Sequence, residues 1–265
     1  MREGYPSIAW RRLEDSVLRR HRSAMYVPKI AAFTSVMALA VAGLVAVAPG
    51  VQAACGSGTY GGGAGTSGDP YVVATATHLD ELRTTSGDWS CVFSQTASID
   101  MNGATWSSGS IGSSVTEFSG SYDGNSHVIS GLTVSGSSYV GLFALATGTI
   151  REVSFSGTVS GTDGFIGGIV GYLSSGTVDS STMTGSVSAT TGNGINVGGI
   201  AGTALAATIT DSHSSATISV EEGNAGGVVG FLSASDLSGA SFSGSVTASV
   251  DVVGGLVGYF GGLPG

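Results

Sequence analysis

The sequence predicts an all-β chain: a right-handed parallel β-helix, or solenoid, of about four 28-residue coils behind an N-terminal β-rich capping subdomain. Three repeating series predict it. A Gly-Gly-aliphatic-aliphatic-Gly block recurs as GGIVG at 167–171, GGIAG at 198–202, GGVVG at 226–230 and GGLVG at 254–258, with spacings of 31, 28 and 28. A lone aliphatic behind a polar turn recurs at Ile150, Val178, Ile209 and Leu237, and a third series runs Val159, Val187, Ile218 and Val246; both are spaced 28, 31 and 28. The gap of 31 in every series spans the stretch from Ser188 to Gly198, so one three-residue insertion there explains all three.

Taken in order, the chain opens with residues that do not belong to this pattern. Ile30 to Ala48 is a run of 19 residues without a charge, preceded by Lys29 and several arginines. Pro49-Gly50 ends it, and Val51-Gln52-Ala53 supplies the small residues a signal peptidase needs, so an export signal cleaved after Ala53 is expected. An uncleaved membrane anchor is the alternative, since about 20 apolar residues span a bilayer. Met25 would also make an ordinary start, which leaves Met1 to Ala24 as an upstream extension or a misplaced start.

Beyond Ala53 the charge balance is one-sided. Of nine Lys and Arg only Arg83 and Arg151 remain, against 15 of the 18 acids, a formal net charge of −13. Nucleic acid is therefore not expected as a partner, because phosphate binding rests on Lys and Arg. Anionic headgroups are disfavoured for the same reason. The two cysteines, Cys55 and Cys91, read as one disulfide in an oxidising compartment; the alternative is a lipid on Cys55, for which Gln52 is a poor fit to a lipobox.

Residues 54–138 lack the period, hold Trp89 and Trp106, and contain Asp80-Glu81-Leu82-Arg83, which suits a helical turn. They are expected to cover the first coil, whose apolar end would otherwise be bare. From residue 139 each repeat cannot bury its own apolar face and must stack on a neighbour. Markers 9 or 10 residues apart (Ile150, Val159, Ile169, Val178) imply three short strands per coil. Val, Ile, Thr and Phe favour pleated sheet over helix, and 45 glycines are available for the corners. The expected core is a set of columns: Val159 over Val187, Ile218 and Val246, and Leu142 over Ile169, Ile200, Val228 and Leu256. The last residues, Gly-Gly-Leu-Pro-Gly, stop in mid-coil, which is expected of a fragment.

These residues resemble the GLUG repeat of bacterial surface and secreted proteins, found also beside immunoglobulin A-cleaving metallopeptidases. The Gly-Gly-Leu-Val-Gly block with its polar turn and aliphatic carries the likeness. So do Gly65-Thr-Ser-Gly-Asp-Pro-Tyr-Val-Val73, Leu79, Leu82, Ile99-Asp100, Phe118-Ser-Gly-Ser-Tyr-Asp-Gly-Asn125, Ile129-Ser-Gly-Leu132 and Val140-Gly-Leu-Phe143, which follow in the order that precedes such repeats. One departure is Ser110-Ile111, where the family usually has a dipeptide such as Pro-Ile. The resemblance covers about residues 65–260 and implies an extracellular β-helical module with no activity of its own.

Sites of known chemistry are poorly matched. His78-Leu-Asp-Glu-Leu82 lacks the second histidine of H-E-x-x-H, and Gly56-Ser-Gly-Thr-Tyr-Gly61 lacks the strand and helix that would make it a dinucleotide site. A P-loop needs a lysine, and none follows Lys29. Polysaccharide-acting β-helix enzymes are the enzyme alternative, but their convergent acids are missing: Asp163 aligns with Thr191 and Asp179 with Thr210, and adjacent Arg151 and Glu152 would face opposite ways. Asp123, Asn125 and His127 alternate as a cation site would, yet Tyr-Asp-Gly-Asn reads first as a turn. His78 and His213 read as surface or turn residues. No catalytic residue, cofactor or metal is therefore expected.

The candidate binding residues are hydroxyls flanking the third series: Thr158 and Ser160, Ser186 and Ser188, Thr217 and Ser219, Ser245 and Thr247. They should form two outward ranks about 7 Å apart with rungs about 4.8 Å apart. Such ranks keep a strand face soluble; they are also what ice-binding β-solenoids present. The expected function is a secreted or cell-surface, adhesin-like module that presents a repetitive surface to an extracellular glycan, protein or cell.

Overall fold

The computed structural model describes residues 55–107, 109–190, 195–249 and 252–261. The expected export signal, 1–53, lies outside the described residues. Four stacks of strands wind around one core, and neighbouring coils pair in parallel. Sheet 1 holds Tyr71–Val73, Val92–Gln95, Ser121–Asp123, Thr149–Arg151, Thr177–Asp179, Thr208–Thr210 and Asp236–Ser238. Sheet 2 carries the long strands Val128–Gly136, Ser154–Gly161 and Thr182–Ala189, followed by shorter ones that include Thr217–Val220 and Ser245–Ala248. Sheet 3 stacks Tyr139–Val140, Phe165–Gly167, Asn196–Gly198, Asn224–Gly226 and Val253–Gly254. Sheet 4 stacks Phe143–Ala146, Val170–Ser174, Ala201–Leu205, Val229–Ser233 and Val257–Gly261.

Each full coil thus has four strands where the marker spacing implied three. The reason lies in the glycine block, which is a corner rather than a strand: Gly167 ends a strand of sheet 3 and Val170 begins one of sheet 4. There the backbones of sheets 3 and 4 come so close that a Cβ on Gly171 would sit 2.8 Å from the Ala144 carbonyl oxygen and 2.8 Å from the Val140 nitrogen. Close approach, not a left-handed backbone, fixes these glycines. The left-handed corner between sheets 1 and 2 is instead taken by Glu152, Ser180 and Asp211, with φ of 51°, 47° and 45°, and by a glycine only at Gly239. Glu152 is therefore a corner residue and does not alternate with Arg151 along a strand.

The stack is also longer than four coils. Along sheet 1 the register runs Tyr71, Phe93, Tyr122, Ile150, Val178, Ile209, Leu237, which makes about six turns. The first step is 22 residues and the second 29, so the early coils escape a search for a strict period. In the first turn a helix, Ala76–Thr84, stands where later coils place strands. The Thr75 side chain caps it, accepting from the His78 amide at 3.2 Å, and Leu79 and Leu82 are fully buried beneath it. The insertion between Ser188 and Gly198 is narrowed by register to the residues between Ala189, still 28 from its partner Gly161, and Asn196, 31 from Phe165. Four of these, 191–194, lie outside the described residues.

The core changes character along the axis. Aromatic rings fill the early coils, with Tyr71, Phe93, Phe118 and Phe143 in succession at centroid distances of 5.6, 6.2 and 4.9 Å. Aliphatic columns fill the repeats: Val159, Val187 and Ile218 are paired in register and fully buried, with Val246 half-buried at the far end. Leu142, Ile169, Ile200 and Val228 are likewise fully buried at the glycine corner. Among the described residues the buried side-chain polar atoms are paired, Thr66 Oγ1 excepted. Tyr122 donates to Gln95 Oε1 at 3.0 Å, and the buried Ser181 and Ser212 hydroxyls accept from the amides of Val153 and Ser181 in the preceding coils.

Cys55 and Cys91 form the expected disulfide. Two carboxylates fasten the same N-terminal loop. The fully buried Asp88 accepts from the amides of Ser57 and Gly58 and from the Tyr60 hydroxyl, at 2.9, 2.8 and 2.9 Å, while Glu81 accepts from the amides of Thr59 and Tyr60.

Candidate functional site

Two outer faces of the solenoid carry regular chemistry. On sheet 2 the hydroxyl ranks stand in register: Thr158 pairs with Ser186, then Thr217, then Ser245, while Ser160 pairs with Ser188, then Ser219, then Thr247. Each flanks a residue of the inward column Val159, Val187, Ile218 and Val246, so alternation turns them toward solvent. The ranks reach one coil further than the period showed, to Thr133 and Ser135. Neighbouring rungs also bond to each other, Ser186 donating to Thr158 at 3.3 Å. A parallel rank runs along the same sheet through Ser154, Thr182, His213 and Ser241. Here His213 is held between Ser241 Oγ at 2.8 Å and Ser243 Oγ at 3.1 Å, an orienting role that its isolation in sequence did not suggest.

The second face, on sheets 3 and 4, is aromatic and amide-bearing, and it went unread in the sequence. Outward on sheet 3 are Tyr139, Phe165, Asn196 and Asn224; outward on sheet 4 are Tyr172, Thr203, Phe231 and Tyr259. None joins the central core. Phe165 and Tyr172 meet edge to face at 4.9 Å with Tyr139 beside them, and Phe231 stacks on Tyr259 at 5.6 Å and 12°. Between these groups a pocket of about 270 Å³ is lined by Phe165, Tyr172, Asn196, Thr203, Leu205 and Phe231. Asn196 donates to Thr203 Oγ1 at 3.1 Å and accepts from Asn224 Nδ2 at 2.8 Å. Burial, and then the neighbouring Tyr139, push the Tyr172 hydroxyl pKa up, so it stays a neutral donor. A signal did exist: the residue directly after each glycine block is Tyr172, Thr203, Phe231 or Tyr259, aromatic in three of four.

Charged groups are scattered and spent locally. Arg151 pairs with Asp123 across adjacent strands of sheet 1, and Arg83 pairs with Asp80 at 2.7 Å while lying over Trp106. Asp123 also accepts the Asn125 amide at 2.9 Å, closing the turn expected there rather than a cation site. Asp179 and Thr210 are paired as aligned, bonded at 2.5 Å. Among the described residues no three His, Cys, Asp or Glu cluster as metal ligands would.

Residues 193–219, one coil of this stack, match the model of the GLUG motif. This coil carries the GLUG motif. The described part of the matched segment, from Ile195, includes Asn196, the glycine corner at 198–202, Thr203 and the hydroxyls Thr217 and Ser219, so a single GLUG coil contributes to both outer faces. A protein of Evansella cellulosilytica provisionally named a Gly-rich membrane protein is 32% identical over 127 residues, 43% of this chain and only 14% of the relative. Among solved structures, a protein of Bacteroides ovatus provisionally named an immunoglobulin A1 protease superposes with a TM-score of 0.59 at 27% identity. That match covers 77% of this chain and 66% of the other. Among the described residues no helix is long and apolar enough to cross a membrane.

Proposed function

We propose that this chain is a secreted or cell-surface binding module that holds an extracellular glycan or protein on its repetitive outer faces and performs no catalysis itself. The observation that carries the reading is the pair of hydroxyl ranks repeating in register over successive coils without a charged side chain among them. A ligand with its own repeat can meet the same donor and acceptor at every rung, so many weak contacts sum to useful avidity. The likeness to a protein provisionally named a Gly-rich membrane protein supports a place at the cell surface.

A solid-phase screen of glycans and matrix proteins tests this. Binding to at least one, weakened when Thr158 and Thr217 are both replaced by lysine, is the expected result; no binding together with turnover of any polysaccharide would reverse the reading. The registered ranks also favour a second reading, ice binding, for which thermal hysteresis is the measure. Its absence at high protein concentration ends that idea and leaves the first intact.

A further inference from the structure

We propose that the pocket between Phe165, Tyr172 and Phe231 is a subsite for a neutral pyranose unit of a glycan lying along sheets 3 and 4. This rests on the reading of the chain as a binding module and assigns it a site and a ligand class. The walls and floor of the pocket ask for different things. Phe165 and Tyr172 on one side and Phe231 on the other line it with aromatic rings, whose negative quadrupole attracts the weakly positive C–H faces of a sugar ring. The floor is polar: Asn196 and Thr203 are 7% and 3% exposed, and they are hydrogen-bonded to each other at 3.1 Å. Their bonds leave the Thr203 hydroxyl hydrogen and one amide hydrogen each on Asn196 and Asn224 without an acceptor among the described residues.

That combination discriminates among ligands. An apolar peptide side chain would leave the floor donors unpaired, which disfavours it. A quaternary ammonium would suit the rings but would face donor hydrogens and no carboxylate in the lining. An anionic sugar would find no cation, because Arg83 and Arg151 are both held in ion pairs elsewhere. A neutral hydroxylated ring satisfies both surfaces. Tyr139 before the pocket and Tyr259 beyond it continue the aromatic shelf, so the outward rings span four coil steps, about 19 Å at the usual strand spacing. The occupant is therefore a chain of sugars and not a single one.

Native affinity electrophoresis of the full chain through gels holding hydroxyethyl cellulose, galactomannan, laminarin or anionic alginate tests the assignment. Retardation by at least one neutral polysaccharide is expected. Phe231→Ala should weaken it about tenfold, as loss of one aromatic contact of about 1.4 kcal/mol implies, and Thr203→Val should weaken it while keeping the side-chain shape. Circular dichroism shows that each variant is folded; the melting temperature should match the parent for Phe231→Ala, whose ring lies outside the core, and fall for Thr203→Val, which strands the Asn196 amide. Retardation unaffected by both variants overturns the subsite, as does an absence of retardation by every neutral polysaccharide. Retardation abolished by Thr158→Lys with Thr217→Lys but untouched by Phe231→Ala moves binding to the hydroxyl ranks, upholding the module and overturning this inference. A matrix protein whose capture is lost in Phe231→Ala while neutral glycans fail replaces the ligand class.

Discussion

A Cβ added to Gly171 would be 2.8 Å from backbone atoms of the preceding coil, whereas one added to Gly87 would have nothing within 4 Å. Gly171→Ala should therefore destabilise the chain by about 1–3 kcal/mol through overpacking, and Gly87→Ala should be neutral or stabilising by about 0.4–1 kcal/mol through the unfolded state. The shift in urea midpoint at constant slope measures both, and equal shifts would contradict the close approach at the corner. Tyr122 poses a different constraint. Its hydroxyl is buried against Gln95, and burial followed by the nearby Asp123 charge pushes its pKa well above the ordinary range; Tyr60, buried against Asp88, is raised likewise. Because the folded pKa is raised, the unfolded chain loses these protons first, above about pH 10. Stability should be level below that pH and fall as pH rises through it. Phenolate absorbance should therefore grow in step with loss of circular dichroism, and ionisation of all tyrosines in a still-folded chain would refute the burial. Tyr122→Phe should cost about 1–3 kcal/mol at neutral pH, since it strands the Gln95 carbonyl oxygen in the core.

Among the elements, the strands were legible where stacking is regular and illegible where the chain trades strands for something else. The columns through Val159 and Ile169 follow from period alone, because each coil must present an apolar side chain at the same angular position as its neighbour. The fourth strand of each coil could not be read that way: the glycine corner looks in sequence like one apolar segment, and only the contact of Gly171 with Val140 and Ala144 shows it to be two. The early coils escaped because the helix Ala76–Thr84 shortens the first step to 22 residues. The aromatic pocket escaped for a further reason. Phe165, Asn196 and Asn224 share a column that mixes a ring with two amides, and register is what sets them beside the residues that follow the glycine blocks. The N-terminal loop is held by the bond between Cys55 and Cys91, which are 36 residues apart, and by the Asp88 and Glu81 carboxylates. In the chain-entropy model the disulfide contributes about 4 kcal/mol. Reduction should raise amide exchange in residues 55–65 and leave the coils from 139 to 233 protected; uniform loss of protection would mean that the whole stack depends on the bond.

The molecule as a whole has a chemistry set by what surrounds its core. A solenoid gains length by adding coils, each contacting only its neighbours, so its outer faces grow in proportion while its core width stays fixed. Two such faces here are neutral, one of hydroxyls and one of rings and amides, and the acids lie mainly at corners and edges, as Glu152, Asp211 and Asp236 do. With Arg83 and Arg151 both paired to carboxylates, no free cation remains beyond Ala53 to seat a phosphate or sulfate among the described residues. Polyanion binding gains chiefly from counterions released as cations meet phosphates, a gain that disappears when no cation is offered. At a net charge of −13 beyond Ala53, the remaining term is repulsion, and it strengthens as salt is lowered. A segment comprising residues 54–265 should therefore fail to shift duplex DNA or to bind heparin at about 50 mM salt, where most proteins with basic patches bind tightly. Micromolar binding that weakens as salt is raised would show an electropositive surface that these residues do not provide, and would exclude the neutral-ligand reading of both faces.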